Sequence, residues 1–176
     1  MKKKFAIAVI AALGVAPFAM GVASAAPAKK AAILVCAGKT KPKAIKAIGT
    51  AYNNILNGSL GLTGEQKSEF LQYAGGKKVN QAFRDAFLAS SLKNTAAAST
   101  TSVAVNRVKC TGKKTADVDF DLVLGGTAAA GLAPPGSAVL DGKVWKMTGI
   151  TLCDLQALGD PSVLENEPCL TISTGG

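Results

Sequence analysis

Thr115-Ala116-Asp117-Val118-Asp119-Phe120-Asp121-Leu122-Val123-Leu124-Gly125-Gly126 decides the architecture of this chain. Ala116, Val118, Phe120, Leu122 and Leu124 fall on every second position, and Asp117, Asp119, Asp121 and Val123 fill the gaps. Successive side chains of a strand point to opposite faces, so this run reads as a half-buried antiparallel strand, apolar on one face and acidic on the other. Just upstream, Val103 to Cys110 is rich in β-formers. Matching the two apolar faces places Val108 opposite Val118. The same register sets Lys109 beside Asp117 and Arg107 beside Asp119, so that opposite charges face each other across the pair.

Downstream of this strand, residues 125–136 form a long loop containing Pro134-Pro135. Ala138 to Leu140 and Lys143 to Met147 flank Asp141-Gly142, a strong two-residue hairpin signal. The last strand is expected to run to about Leu152, followed by a short helical turn from Cys153 to Leu158. Upstream the period changes. Pro42 suits a first helical turn, and Ile45, Ile48, Tyr52, Ile55 and Leu56 recur at helical spacing, which predicts an amphipathic helix over 43–57. Asn57-Gly58 stops it. Thr63-Gly64-Glu65-Gln66 has the form of a capping box and opens a short helix to Tyr73, ended by Gly75-Gly76. Val79, Phe83, Ala86 and Phe87 make a third helical stripe reaching about Leu92. Helices first and a β-meander afterwards predict an α+β fold, with three N-terminal helices packed on one face of a curved antiparallel β-sheet.

The chain of 176 residues opens with Lys2-Lys3-Lys4, a nearly unbroken apolar run from Phe5 to Val22, and Ala23-Ser24-Ala25. This is the pattern of a secretory signal peptide, with cleavage expected before Ala26. The expected organisation is therefore a signal peptide over 1–25, a flexible basic arm over 26–41, a single α+β domain over 42–170 and a disordered tail over 171–176. No later segment is long enough to span a bilayer. Losing the three leader lysines removes three of the nine net positive charges. The remainder is uneven: Lys29, Lys30, Lys39, Lys41, Lys43 and Lys46 all precede the first acid, Glu65, whereas Asp154, Asp160, Glu165 and Glu167 are the only charges after Lys146. The partners this suggests are anionic cell-envelope polymers or lipids, attracted to the basic arm. Nucleic acid is disfavoured, because the basic residues are not interleaved with aromatics and the chain is built for export.

Histidine is absent. That removes the usual general base and the commonest metal ligand. The four cysteines, Cys36, Cys110, Cys153 and Cys169, suit two disulfides in an exported protein, with three possible connectivities. Cys153–Cys169 is favoured because it would close the polar, proline-bearing segment from Asp154 to Pro168, a closure worth roughly 3 kcal/mol in the chain-entropy model. Cys36–Cys110 then remains and would tie the arm to the sheet. Asp117, Asp119 and Asp121 offer three carboxylates, but strand alternation spaces them about 7 Å apart and no glycine-bearing calcium loop surrounds them. They read as a solvated face paired with Lys109 and Arg107. No metal and no cofactor is expected.

Several pieces together resemble a known family. Besides 115–126 they are Asp141-Gly142 with Trp145-Lys146-Met147, and Thr151-Leu152-Cys153-Asp154-Leu155-Gln156-Ala157-Leu158. Over about Ile45 to Cys169 the chain resembles the domain of the mycobacterial low-molecular-weight secreted antigens, of the nuclear-transport-factor-2-like or ketosteroid-isomerase-like superfamily. The resemblance implies a cone, three helices on a strongly curved antiparallel sheet, also described as cystatin-like. It implies that the cysteine after the last strand and its later partner are Cys153 and Cys169. Cys36 and Cys110 lie outside the family pattern, and one extra residue separates Gly142 from Trp145.

Such a cone can hold an apolar pocket at its open end. Tyr52, on the inward stripe of the first helix, Asn106, pointing inward in the proposed register, and Trp145, beside the hairpin, are the ligand-binding candidates. No catalytic residue is assigned, since the acids of the best-defined strand alternate outward. The expected function is that of a secreted, non-catalytic domain that binds or associates at the cell envelope. The alternatives are a small-molecule carrier using the cone cavity, and a minimal isomerase- or dehydratase-like enzyme using Tyr52.

Overall fold

The computed structural model describes residues 32–73, 84, 100–166 and 169–170. The chain divides into two units, 1–30 and 31–176, and the described residues belong to the second. The expected third helix, over 79–92, lies outside the described residues save Arg84, as do the expected tail and residues 26–31 of the expected arm.

Helix α1 spans Lys41–Leu56 with Pro42 in its first turn. Its buried stripe, Ala44, Ile48, Ala51, Tyr52 and Ile55, is the one that helical spacing predicts. Helix α2, Gly64–Ser68, begins with the expected capping box: Thr63 Oγ1 accepts from Gln66 N at 3.2 Å, and Gln66 Oε1 accepts from Thr63 N at 2.9 Å. It ends well before Tyr73. Leu71–Gln72 instead forms strand β1, parallel to Met147–Thr148, and Phe70 O accepts from Met147 N. Continuing the helix would withdraw Leu71 from the core, where it is buried, so pairing with a distant strand overrides the local helical pattern.

The remaining strands are β2 (Thr101–Cys110), β3 (Thr115–Leu124), β4 (Thr127–Ala129), β5 (Gly136–Asp141) and β6 (Val144–Thr148), followed by helix α3 (Gly149–Ala157). The six-stranded sheet runs β1-β6-β5-β3-β2, with β4 beside β3. It is antiparallel except for β1, so the expected all-antiparallel sheet is corrected to a mixed one. Two boundaries also move. The long loop after β3 contains β4, and the last strand stops at Thr148, where α3 begins four residues before the helical turn expected at Cys153.

The β2–β3 register is the expected one, with Val108 opposite Val118, Lys109 opposite Asp117 and Arg107 opposite Asp119. The ladder shifts between Val105 and Arg107. That bulge lets Val103, Val105 and Val108, spaced by two and then three residues, all contribute to the core. The core collects α1, the inner face of β3 (Ala116, Val118, Phe120), Ala138 and Leu140 of β5, Trp145 and Met147 of β6, and Leu152 and Cys153 of α3.

Candidate functional site

Tyr52 is fully buried on the sheet-facing side of α1. Its ring meets Phe120 edge-on, with centroids 5.1 Å apart. Its hydroxyl donates to the Ser137 carbonyl at 2.9 Å. Around that carbonyl lies a set of hydroxyl groups: Ser137 N donates to Thr151 Oγ1 at 2.9 Å, Thr151 Oγ1 and Thr148 Oγ1 are 3.0 Å apart, and Ser137 Oγ lies 2.6 Å from Thr148 Oγ1. Gly136 makes room for this arrangement. A Cβ there would collide with the Tyr52 hydroxyl and stand 2.9 Å from Phe120 Cε1. Burial pushes the Tyr52 phenol far above its ordinary value, and hydrogen bonding with Thr151 offsets this only in part. No carboxylate belongs to this set. Tyr52 is held as a neutral structural donor.

Trp145 is 2% exposed, and its indole N–H donates to the Leu34 carbonyl at 2.8 Å. Leu34 belongs to the segment expected to be a flexible arm. From Leu34 onward that segment is docked as a strap: Cys36 N donates to Lys113 O at 2.9 Å, Cys36 forms a disulfide with Cys110, and Thr40 Oγ1 donates to the carbonyls of Val35 and Ala37. The second disulfide joins Cys153 to Cys169, both fully buried.

Asn106 is not directed into the interior. It occupies the bulge, is exposed, and donates through Nδ2 to Asp121 Oδ2 at 2.8 Å. Tyr52 and Trp145 share the inner face but do not converge. Tyr52 is bonded at Ser137, whereas Trp145 pairs with Leu140 three residues along β5, about 10 Å away at strand spacing. The three pocket candidates therefore do not form one site.

On the outer face Arg107 Nε donates to Asp119 Oδ2 at 2.7 Å, and Asp121 Oδ1 also accepts from Gly131 N at 3.4 Å. Among the described residues, no group of three or more Cys, Asp or Glu is placed to hold a metal ion. Two titratable groups elsewhere are shifted by burial: the Lys67 amine on α2 is lowered and the Asp154 carboxyl on α3 is raised.

A model of the low molecular weight antigen MTB12, C-terminal domain, matches residues 40–162. The chain belongs to this family. The match runs from the start of α1 past α3 and covers most of the described domain, so the family likeness rests on the helix, the sheet and the closing helix together. Cys36 and Cys169 fall outside the matched residues, and each disulfide therefore ties a flanking segment to the family domain. Comparison with curated proteins finds no match, and neither does comparison with solved structures. Among the described residues no helix is long and apolar enough to cross a membrane.

Two groups of residues escaped the sequence reading. The first is the set of hydroxyls at Ser137, Thr148 and Thr151, which belong to three different elements and share no sequence signal. The second is the lysines of two turns, Lys113 and Lys114 between β2 and β3 and Lys143 between β5 and β6. Strand order held a signal for these. In an up-and-down arrangement β2 and β5 run toward the same end of the sheet, so the two turns share that end.

Proposed function

We propose that this domain is exported, is processed before Ala26, carries no catalysis, and associates at the cell envelope by attraction of its basic N-terminal segment to anionic polymers. The observation that carries this reading is the charge distribution: six lysines, Lys29, Lys30, Lys39, Lys41, Lys43 and Lys46, precede the first acid. The leader pattern and the pair of disulfides favour an oxidising compartment. The absence of histidine and the use of the Tyr52 hydroxyl as an internal donor weigh against an isomerase-like site. Membership of an antigen family is compatible with a binding role. The fuller architecture of this proposal is a cone completed by a third helix over 79–92.

The test is retention of the mature protein, purified from its own host, on isolated cell envelopes at rising salt. Its native mass should begin at Ala26 and lack two pairs of hydrogens. Retention at low salt and release near physiological ionic strength or somewhat above is expected, since exposed charges are screened over about 8–10 Å there. Salt-insensitive retention, no retention, or a mass that includes residues 1–25 would overturn the reading.

A further inference from the structure

We infer that the anion-binding surface is the whole strap end of the domain, assembled from three separate chain segments, and that its partner is a linear polyanion. This rests on the reading above and specifies its site and partner. β2 and β5 run into this end, and β3 and β6 run out of it. The turns carrying Lys113, Lys114 and Lys143 therefore lie side by side, and Leu140 N donates to the Lys114 carbonyl at 2.8 Å. The strap is fastened to the same turns through Cys36–Cys110 and through Cys36 N to Lys113 O. It delivers Lys39 and the first turn of α1, with Lys41 and Lys43, to the same end.

All six of these lysines are exposed. Among the described residues the ion pairs are Arg107–Asp119 and Lys146–Asp141, so none of the six is neutralised by a carboxylate. The start of α1 has no acid in its first turn and no side-chain cap, so its partial positive charge adds to the cluster instead of opposing it. α3 begins where β6 ends, at the other end of the sheet, and Asp154, Asp160 and Glu165 lie on or after it in the chain, whereas Asp141 at the strap-end hairpin is paired with Lys146. The six exposed lysines of the strap end therefore attract an approaching polyanion.

A polymer fits this surface better than a lipid bilayer. The residue types that anchor proteins at a bilayer interface are tryptophan and tyrosine, and Trp145, Tyr52 and Tyr73 are all buried. The large apolar side chains exposed at this end, Ile33 at 51% and Val144 at 43%, are two residues, far fewer than an extended apolar patch requires.

The experiment titrates the mature, oxidised protein with long-chain inorganic polyphosphate at several salt concentrations, alongside two triple variants, Lys113→Gln/Lys114→Gln/Lys143→Gln and Lys39→Gln/Lys41→Gln/Lys43→Gln. All six positions are exposed, and circular dichroism checks that the fold is kept. Each triple variant is expected to weaken binding by about tenfold or more and to flatten the dependence of log affinity on log salt, because fewer counterions are released. If the turn variant binds like wild type while the other variant loses binding, the N-terminal segment alone is the site: the inference falls and the proposed function stands. Wild-type binding to vesicles of phosphatidylcholine with a minority of phosphatidylglycerol, without binding to polyphosphate, would overturn the polyanion. Envelope retention without polyphosphate binding would overturn it too. Failure of both retention and binding would remove the proposed function as well.

Discussion

The inner face of β3 carries Ala116, Val118 and Phe120, sealed under α1 and β5 and almost devoid of solvent contact. The outer face of the same strand carries Asp117, Asp119 and Asp121, which meet solvent, Arg107 and Asn106. The two faces are interleaved residue by residue, yet they do different work. Close packing makes each inner side chain depend on its neighbours, so removing one leaves a void that the surroundings fill only in part. On the outer face water replaces any lost partner, and an exposed ion pair adds little. Stability therefore resides on one side of β3, and surface chemistry on the other.

Phe120→Ala attacks the contrast at its strongest point. The ring touches Tyr52 and faces Gly136, and its loss should cost about 3–5 kcal/mol in urea unfolding. A cost no larger than that of an outer-face substitution would end the distinction between the faces.

Tyr52→Phe keeps the packing and removes the bond to the Ser137 carbonyl. A loss of about 0.5–1.5 kcal/mol is expected. The same variant sharpens the comparison through pH. Burial raises the folded-state value of the Tyr52 phenol above its unfolded value. The unfolded chain then releases this proton first, so the stability tied to the neutral phenol is complete below about pH 10 and declines as pH rises beyond it. Urea midpoints measured on both sides of pH 10 should fall less steeply for Tyr52→Phe than for wild type. Identical slopes would mean that the phenol ionises as freely folded as unfolded.

Arg107→Ala probes the outer face. With the arginine 71% and the aspartate 44% exposed, the change should be about 0.2–1 kcal/mol and should shrink further with added salt. A larger, salt-independent loss would show that the pair has a structural task that its exposure does not suggest.

Much of this arrangement is legible in the sequence. The alternation over 115–124 predicted both faces of β3, and charge complementarity predicted Arg107 opposite Asp119. The expected inward Asn106 shows where such reasoning stops. Strict alternation back from Val108 carries Asn106 into the core, whereas the spacing of Val103, Val105 and Val108 departs from two by one residue. That irregularity was the available mark of a bulge. Trp145, a pocket candidate from its place beside the hairpin, is instead buried in the core; its hydrogen bond to Leu34 joins residues 111 positions apart, and no local pattern encodes such a contact.

The amino-acid order alone settles α1, the capping box at Thr63, the hairpin at Asp141-Gly142 and the β2–β3 register from Arg107 to Lys109, because each depends on residues within one or two turns or on matching two adjacent strands. Folding in three dimensions settles the early end of α2, the parallel pairing of β1 with β6, the docking of the strap and the meeting of Lys39, Lys41 and Lys43 with the turn lysines. Those features depend on which donors, acceptors and apolar surfaces are still unsatisfied once distant segments have closed around the core, and short-range periodicity carries no record of that remainder.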